Sequence, residues 1–221
     1  MKNRLMVITA LGVSLSVTAQ KQVSLFDGKT LTGWRSYQNK PFDSWQAKDG
    51  MLFNKGNKDP NVKHADLITE KEYGNFELSL DWKIAPAANS GVLYLVTEEF
   101  PASYQSGPEY QLLDDRGYPE KIEAWQKTGA NYAMDPPMLD ATKPAGEWNH
   151  TVIKVNKGHV EHWLNGRKVV EYQLWNDTWN QHKAAGKWKD YKGYGLARKG
   201  HIALQDHGGE VWFKNITIRE L

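Results

Sequence analysis

Residues 76–84 read Phe-Glu-Leu-Ser-Leu-Asp-Trp-Lys-Ile, apolar at every even position and polar at most odd ones. Nine residues at period two describe an extended strand with one buried face and one wet face, and they exclude an amphipathic helix there. Shorter pieces of the chain repeat the pattern. Trp45-Gln46-Ala47-Lys48 and Met51-Leu52-Phe53 flank Asp49-Gly50, and residues 159–164 and 167–172 flank Asn165-Gly166. Both dipeptides supply the positive φ that a two-residue hairpin turn needs. Residues 90–96 are mostly apolar and suit a strand buried on both faces. Residues 148–155 read as a strand with Trp148, His150, Val152 and Lys154 on one face, and 201–209 followed by 211–221 read as a strand, a polar turn and a final strand. Two stretches stand apart: 116–143, long enough to be a functional loop or lid, and 173–200, a Trp- and Lys-rich connection with room for one helical turn.

Many short strands with Gly-containing turns predict an all-β fold, a jelly-roll β-sandwich of two antiparallel sheets with a ligand on the concave sheet face. The net charge of +2 is dispersed, which excludes nucleic acid as a partner. With 0 Cys there is no disulfide framework and no lipoprotein cysteine. The 10 Trp and 10 Tyr outnumber the 6 Phe, so aromatic rings with a polar edge dominate, and these both pack and contact sugars. Lys2 and Arg4, an apolar run over 5–17 and Val17-Thr18-Ala19 form an export signal. The expected organisation is a signal peptide over 1–19 and a single domain over 20–221, periplasmic or secreted, with no membrane insertion after cleavage.

The chemistry centres on Gly107-Pro108-Glu109-Tyr110-Gln111-Leu112-Leu113-Asp114-Asp115. On a strand Glu109 and Gln111 share a face, while Tyr110 and Leu112 point the other way into packed material. A β-bulge at Leu112-Leu113 would bring Asp114 onto the polar face as well. His150, on the wet face of its strand, and His207, in the turn after the penultimate strand, are the candidate proton acceptors beside Glu109. Gln111, Asp114, Trp125, Tyr132, Lys154, His201 and Gln205 are candidate substrate contacts, Trp125 and Tyr132 as stacking platforms on the long loop. Histidines with carboxylates are also a ligand set for a divalent metal, Ca or Zn, although no tight His-x-His or His-Glu-x-x-His spacing occurs. His159 and His162 read as plain surface residues of the Asn-Gly hairpin.

Six ordered segments carry a resemblance: Leu25-Phe26-Asp27-Gly28-Lys29-Thr30-Leu31-Thr32-Gly33-Trp34; residues 76–94 with Asn89-Ser90-Gly91-Val92; Glu109-Tyr110-Gln111-Leu112-Leu113-Asp114; Gly146-Glu147-Trp148-Asn149; Trp163-Leu164-Asn165-Gly166; and Ile202-Ala203-Leu204-Gln205-Asp206-His207-Gly208. Over 25–221 the chain resembles the 3-keto-disaccharide hydrolase family, formerly a domain of unknown function with a concanavalin-like jelly roll. The resemblance implies a carbohydrate substrate oxidised at C3, and a sugar 3-dehydrogenase acting upstream. A C3 ketone acidifies the C2 hydrogen, so a general base can remove it and the C1 substituent can leave by β-elimination, with hydration completing a net hydrolysis. Laminarinase-like β-glucanases carry Glu-x-Asp-x-x-Glu on one strand. Here the strand reads Glu109-x-Gln111-x-x-Asp114, which argues against a retaining pair of carboxylates. A non-catalytic carbohydrate-binding module and an ordinary β-glycosidase remain the alternatives.

Overall fold

The computed structural model describes residues 20–56 and 59–221, so the signal peptide expected over 1–19 lies outside the described residues. Thirteen strands are β1 (Val23–Ser24), β2 (Trp34–Ser36), β3 (Trp45–Lys48), β4 (Met51–Lys55), β5 (Leu67–Thr69), β6 (Phe76–Ile84), β7 (Asn89–Val96), β8 (Glu109–Leu113), β9 (Asn149–Asn156), β10 (His159–Leu164), β11 (Arg167–Gln173), β12 (His201–Leu204) and β13 (Glu210–Glu220). One α-helix among the described residues, α1, spans Asp177–Ala185. The larger sheet runs β11-β10-β9-β6-β13-β4-β3, with β1 also on β13, and the smaller runs β2-β5-β12-β7-β8; every pairing is antiparallel. This is the two-sheet all-β architecture that the alternation demanded.

The alternation also places the core. Phe76, Leu78, Leu80, Trp82 and Ile84 of β6 are buried between the sheets, each side chain contributing about 1.5–3 kcal/mol of transfer free energy. Opposite them lie Val92 and Tyr94 of β7, Tyr110 and Leu112 of β8, and Ile202 and Leu204 of β12. Polar groups that enter this layer are paired: Trp82 Nε1 donates to Thr151 Oγ1 at 2.9 Å, and the Thr151 hydroxyl donates to the Tyr110 hydroxyl at 3.0 Å. Both hairpin turns form as expected, Lys48 opposite Met51 and Leu164 opposite Arg167, with positive φ at Asp49, Gly50, Asn165 and Gly166.

Three expectations need correction. The β-bulge at Leu112-Leu113 is absent: β8 pairs with β7 in unbroken register from Leu93–Glu109 to Asn89–Leu113. Asp114 therefore leaves the strand as a turn former, accepting from the backbone N–H of Ala87 at 2.9 Å and Gly117 at 3.0 Å. His162 is fully buried rather than a surface residue. Its Nδ1 donates to the Gly129 carbonyl at 2.9 Å, its Nε2 accepts from the Tyr94 hydroxyl at 2.8 Å, and burial pushes its pKa down to about 4, so it stays neutral. Finally, 177–185 is a helix of more than one turn. Asn176 caps it by accepting from Trp179 N at 2.8 Å, but only Trp179 among its side chains is buried, so no apolar stripe marks it in the sequence.

Candidate active site

The outer face of the smaller sheet opens into a cavity of about 470 Å³. Three neighbouring strands supply its floor. Gly91 of β7 pairs with Gln111 of β8 on one side, and its carbonyl accepts from Gln205 N at 2.9 Å on the other. A row Gln111-Gly91-Gln205 thus crosses the sheet with no side chain at its centre. The Glu109 carboxyl leans into that gap, since a Cβ built on Gly91 would collide with Glu109 Oε1. Asn89 lies two residues along β7, on the same face.

This floor is polar, mostly buried and chemically unfilled. Glu109 is 4% exposed, Gln111 2% and Gln205 8%. Among the described residues, no hydrogen bond satisfies the Glu109 carboxyl or the amides of Asn89, Gln111 and Gln205, and the amide oxygens of Asn89 and Gln205 are sealed from water as well. Burial pushes the Glu109 carboxyl up to about 8; the Lys187 ammonium opposes the shift and the Asp66 carboxyl adds to it. Lys187 Nζ stands 4.4 Å from the centre of the Tyr132 ring and 4.9 Å from that of Trp188, and its pKa is lowered by desolvation.

The walls come from the two long connections. Residues 129–132 run along the free edge of β8: Gly129 N donates to Gln111 O at 2.9 Å, Gln111 N to Ala130 O at 3.1 Å and Tyr132 N to Glu109 O at 3.0 Å. That docking covers an edge strand and places Tyr132 beside Glu109. The segment after α1 supplies Lys187, Trp188 and Tyr191. It is held by a ladder of stacked rings, Tyr172 on Trp179 (5.3 Å), Trp179 on Tyr194 (5.8 Å) and Tyr194 on Trp188 (4.1 Å), and by Trp188 Nε1 donating to Tyr132 O at 3.1 Å.

Across the cavity a second group comes from the start of β5 and the turn after β12. His64 Nδ1 lies 2.9 Å from Asp206 Oδ2, so the carboxylate fixes the tautomer and leaves Nε2 without a partner among the described residues. Asp206 is anchored in turn, its N–H donating to Asp66 Oδ1 at 2.8 Å. Asp66 also accepts from the Ser103 hydroxyl, and burial raises its pKa.

Of the residues expected from the sequence, Glu109, Gln111, Tyr132, Gln205 and His207 line the cavity. The others do not. His150 lies on the outer face of the larger sheet, 2.7 Å from Asp81, and Lys154 on that face meets Glu77 at 3.3 Å. Both are on the wet face of β9, as the alternation required, but that face is turned away from the cavity. His201 is buried, its Nδ1 donating to Thr69 O at 2.6 Å. Trp125 packs edge-on against Tyr132 at 5.5 Å without lining the cavity, and Asp114 serves its turn. Sequence reasoning missed Asn89, His64, Asp206 and Lys187; only the Asn89-Ser90-Gly91-Val92 and Gln205-Asp206-His207 runs gave any signal, for two of them. The one trio of His, Asp or Glu ligand atoms within 4.8 Å of one another among the described residues is His159, Glu161 and Glu171, on the outer face of the larger sheet with Lys168 bonded to both glutamates. Among the described residues, the acids and imidazole of the cavity do not converge in that way.

The cavity thus brings together a buried carboxyl with a raised pKa, an imidazole oriented by a carboxylate, and unfilled amides. Known proteins provide a comparison for the whole chain. The chain is 35% identical to the 3-keto-disaccharide hydrolase of Bacteroides thetaiotaomicron, covering 95% of this chain and 81% of that one. A crystal structure from Parabacteroides distasonis, provisionally described as a glycosyl hydrolase, superposes with a TM-score of 0.83 at 39% identity over 90% of this chain and 94% of that one. A carbohydrate binding module of Bacillus subtilis shares the fold alone, with a TM-score of 0.55 at 10% identity over 86% and 96% of the two chains. No helix among the described residues is long and apolar enough to cross a membrane. The model of the 3-keto-alpha-glucoside-1,2-lyase-like domain matches residues 21–219, and the chain belongs to that family.

Proposed function

We propose that the protein is an exported enzyme that cleaves 3-keto-glycosides by base-catalysed β-elimination, with hydration of the enone giving net hydrolysis. The observation that carries this reading is Glu109: a buried, unpartnered carboxyl at the cavity floor whose pKa of about 8 suits proton abstraction near neutrality, with no second floor carboxylate to make a retaining pair. In the first step Glu109 takes the C2 proton and the C2–H electrons form the C2–C3 enolate. The enolate collapses to a C1–C2 double bond with the C3 ketone restored, and the C1–oxygen bond breaks. His64, held by Asp206 through Nδ1, enters this step as the imidazolium and gives its Nε2 proton to the departing oxygen, leaving the neutral Nδ1–H tautomer. Addition of water at C1, with a proton returned to C2, yields the free 3-keto sugar. Tyr132 and Tyr191 line the cavity and offer aromatic surface to the sugar. The substrate comes from an oxidation, so a sugar 3-dehydrogenase acts upstream.

The test is incubation with a 3-keto-disaccharide and with its unoxidised parent. Release of the second sugar from the keto form alone is expected. Turnover of the parent would instead make the protein an ordinary glycosidase, and binding without turnover a carbohydrate-binding module. Trapping the enone before hydration distinguishes elimination from direct hydrolysis, and metal analysis of the purified protein checks for a resident cation.

A further inference from the structure

The floor amides have a consequence for the enolate. The amide oxygens of Asn89 and Gln205 are sealed from water and unpartnered, whereas their nitrogens are neither sealed nor hydrogen-bonded among the described residues. Both residues line the cavity, so each presents its NH₂ group to it. Gln205 faces Gly91 across the β7–β12 boundary, and Asn89 is two residues along β7 on the same face, a diagonal relation that sets Cβ atoms about 7–8 Å apart. Two side chains of that length can aim at one atom between them. Gly91 carries no side chain, and the Glu109 carboxyl leans into the space over it.

The orientation is held by the backbone. Ser90 Oγ donates to Gln205 O at 2.8 Å, Gln205 N donates to Gly91 O, and Gly209 packs against Ala88 and the Asn89 backbone so closely that a Cβ there would collide with both. A sealed acceptor without a partner is costly in a fold. Two of them side by side, each turning its donor inward, mark a place built for an acceptor of developing negative charge.

Resting on the reading above, we infer that the amide N–H groups of Asn89 and Gln205 form the receptor for the C3 carbonyl oxygen and hold the enolate that forms when Glu109 takes the adjacent C2 proton. The arrangement is an oxyanion hole made of side-chain amides, preorganised on sheet strands and shielded from bulk water. Its donors strengthen their hydrogen bonds as charge moves onto the oxygen, so they act on the transition state more than on the bound ketone.

The experiment compares Asn89→Leu, Gln205→Met and the shape-preserving Gln205→Glu with the wild type on a 3-keto-disaccharide. Each is expected to lower kcat about 100-fold with KM changed less than about threefold. Exchange of the C2 hydrogen for deuterium in D₂O is expected to slow in parallel, and the melting temperature of Gln205→Met to stay at or above that of the wild type, since it removes a sealed acceptor that has no partner. Unchanged kcat in the variants, or a loss confined to KM, would overturn the inference, the latter because it would make the amides uniform contacts to a sugar hydroxyl. A wild type inert toward the keto sugar is a different result: it removes the 3-keto reading itself.

Discussion

Two His–Asp pairs of nearly equal length sit on opposite outer faces of this sandwich. His150 and Asp81 are 2.7 Å apart on the larger sheet, His64 and Asp206 2.9 Å apart beside the smaller one. Their surroundings differ. The His150 side chain is 49% exposed, its Nε2 is 3.4 Å from the Ser79 hydroxyl, and Asp81 also accepts from Asn215 at 2.6 Å, so every group has a partner or water. The Asp206 side chain is 1% exposed and that of His64 32%, and His64 Nε2 has no partner among the described residues. A solvated pair of this kind contributes little to stability and has nothing to do chemically. A pair whose carboxylate is buried and whose imidazole keeps one open nitrogen on a cavity can hold and deliver a proton.

The comparison breaks first at Glu109. Glu109→Gln is expected to lower kcat about 1,000-fold, and to abolish the rise of kcat/KM with pH through about 8 that is expected of the wild type. The same substitution has a stability signature. A glutamate ionises near 4.5 when unfolded and Glu109 near 8 when folded, so between those values the folded chain holds a proton that the unfolded chain has lost. Wild-type stability therefore falls as pH rises from 4.5 to 8, and Glu109→Gln should gain several kcal/mol on it between pH 5 and pH 9, read by urea unfolding at both. Equal stability differences at the two pH values would show that the carboxyl is ionised in the fold.

His64→Ala is expected to cost about 100-fold in kcat, with a smaller loss for a substrate whose leaving group is a good anion and needs no proton. If poor and good leaving groups suffered equally, His64 would not be the acid. Gly91→Ala is expected to lower activity about tenfold with little change in melting temperature, because its Cβ pushes aside the Glu109 carboxyl rather than packed backbone. His150→Ala, the other half of the comparison, should stay within about twofold of wild-type kcat/KM. A large loss there would place the chemistry on the wrong sheet.

Glu109 and Gln111 were legible because a strand admits only two directions for a side chain, and Tyr110 and Leu112 had to claim the core. Tyr132 was legible only as an aromatic on a long loop; its place beside Glu109 follows from hydrogen bonds between 129–132 and the edge of β8. His150 shows where the same reasoning stops. Alternation identifies the wet face of a strand, but a sandwich has two wet faces, and nothing within β9 says which one lies over the cavity. Asn89 stood only within a segment that carries the family resemblance, since an amide at a strand start is ordinary until its neighbours fail to pair with it.

By itself the sequence determined the period-two strands, the Asp-Gly and Asn-Gly hairpins, the family, and the facing of the one strand that bears Glu109, all of which depend on neighbours within about ten residues or on ordered segments. Only the tertiary structure decided which sheet carries the site, which acids meet which histidines, and which polar groups stay unpartnered. Those are contacts such as His64 with Asp206, 142 residues apart, and their energetics depend on burial that the packing of distant loops creates.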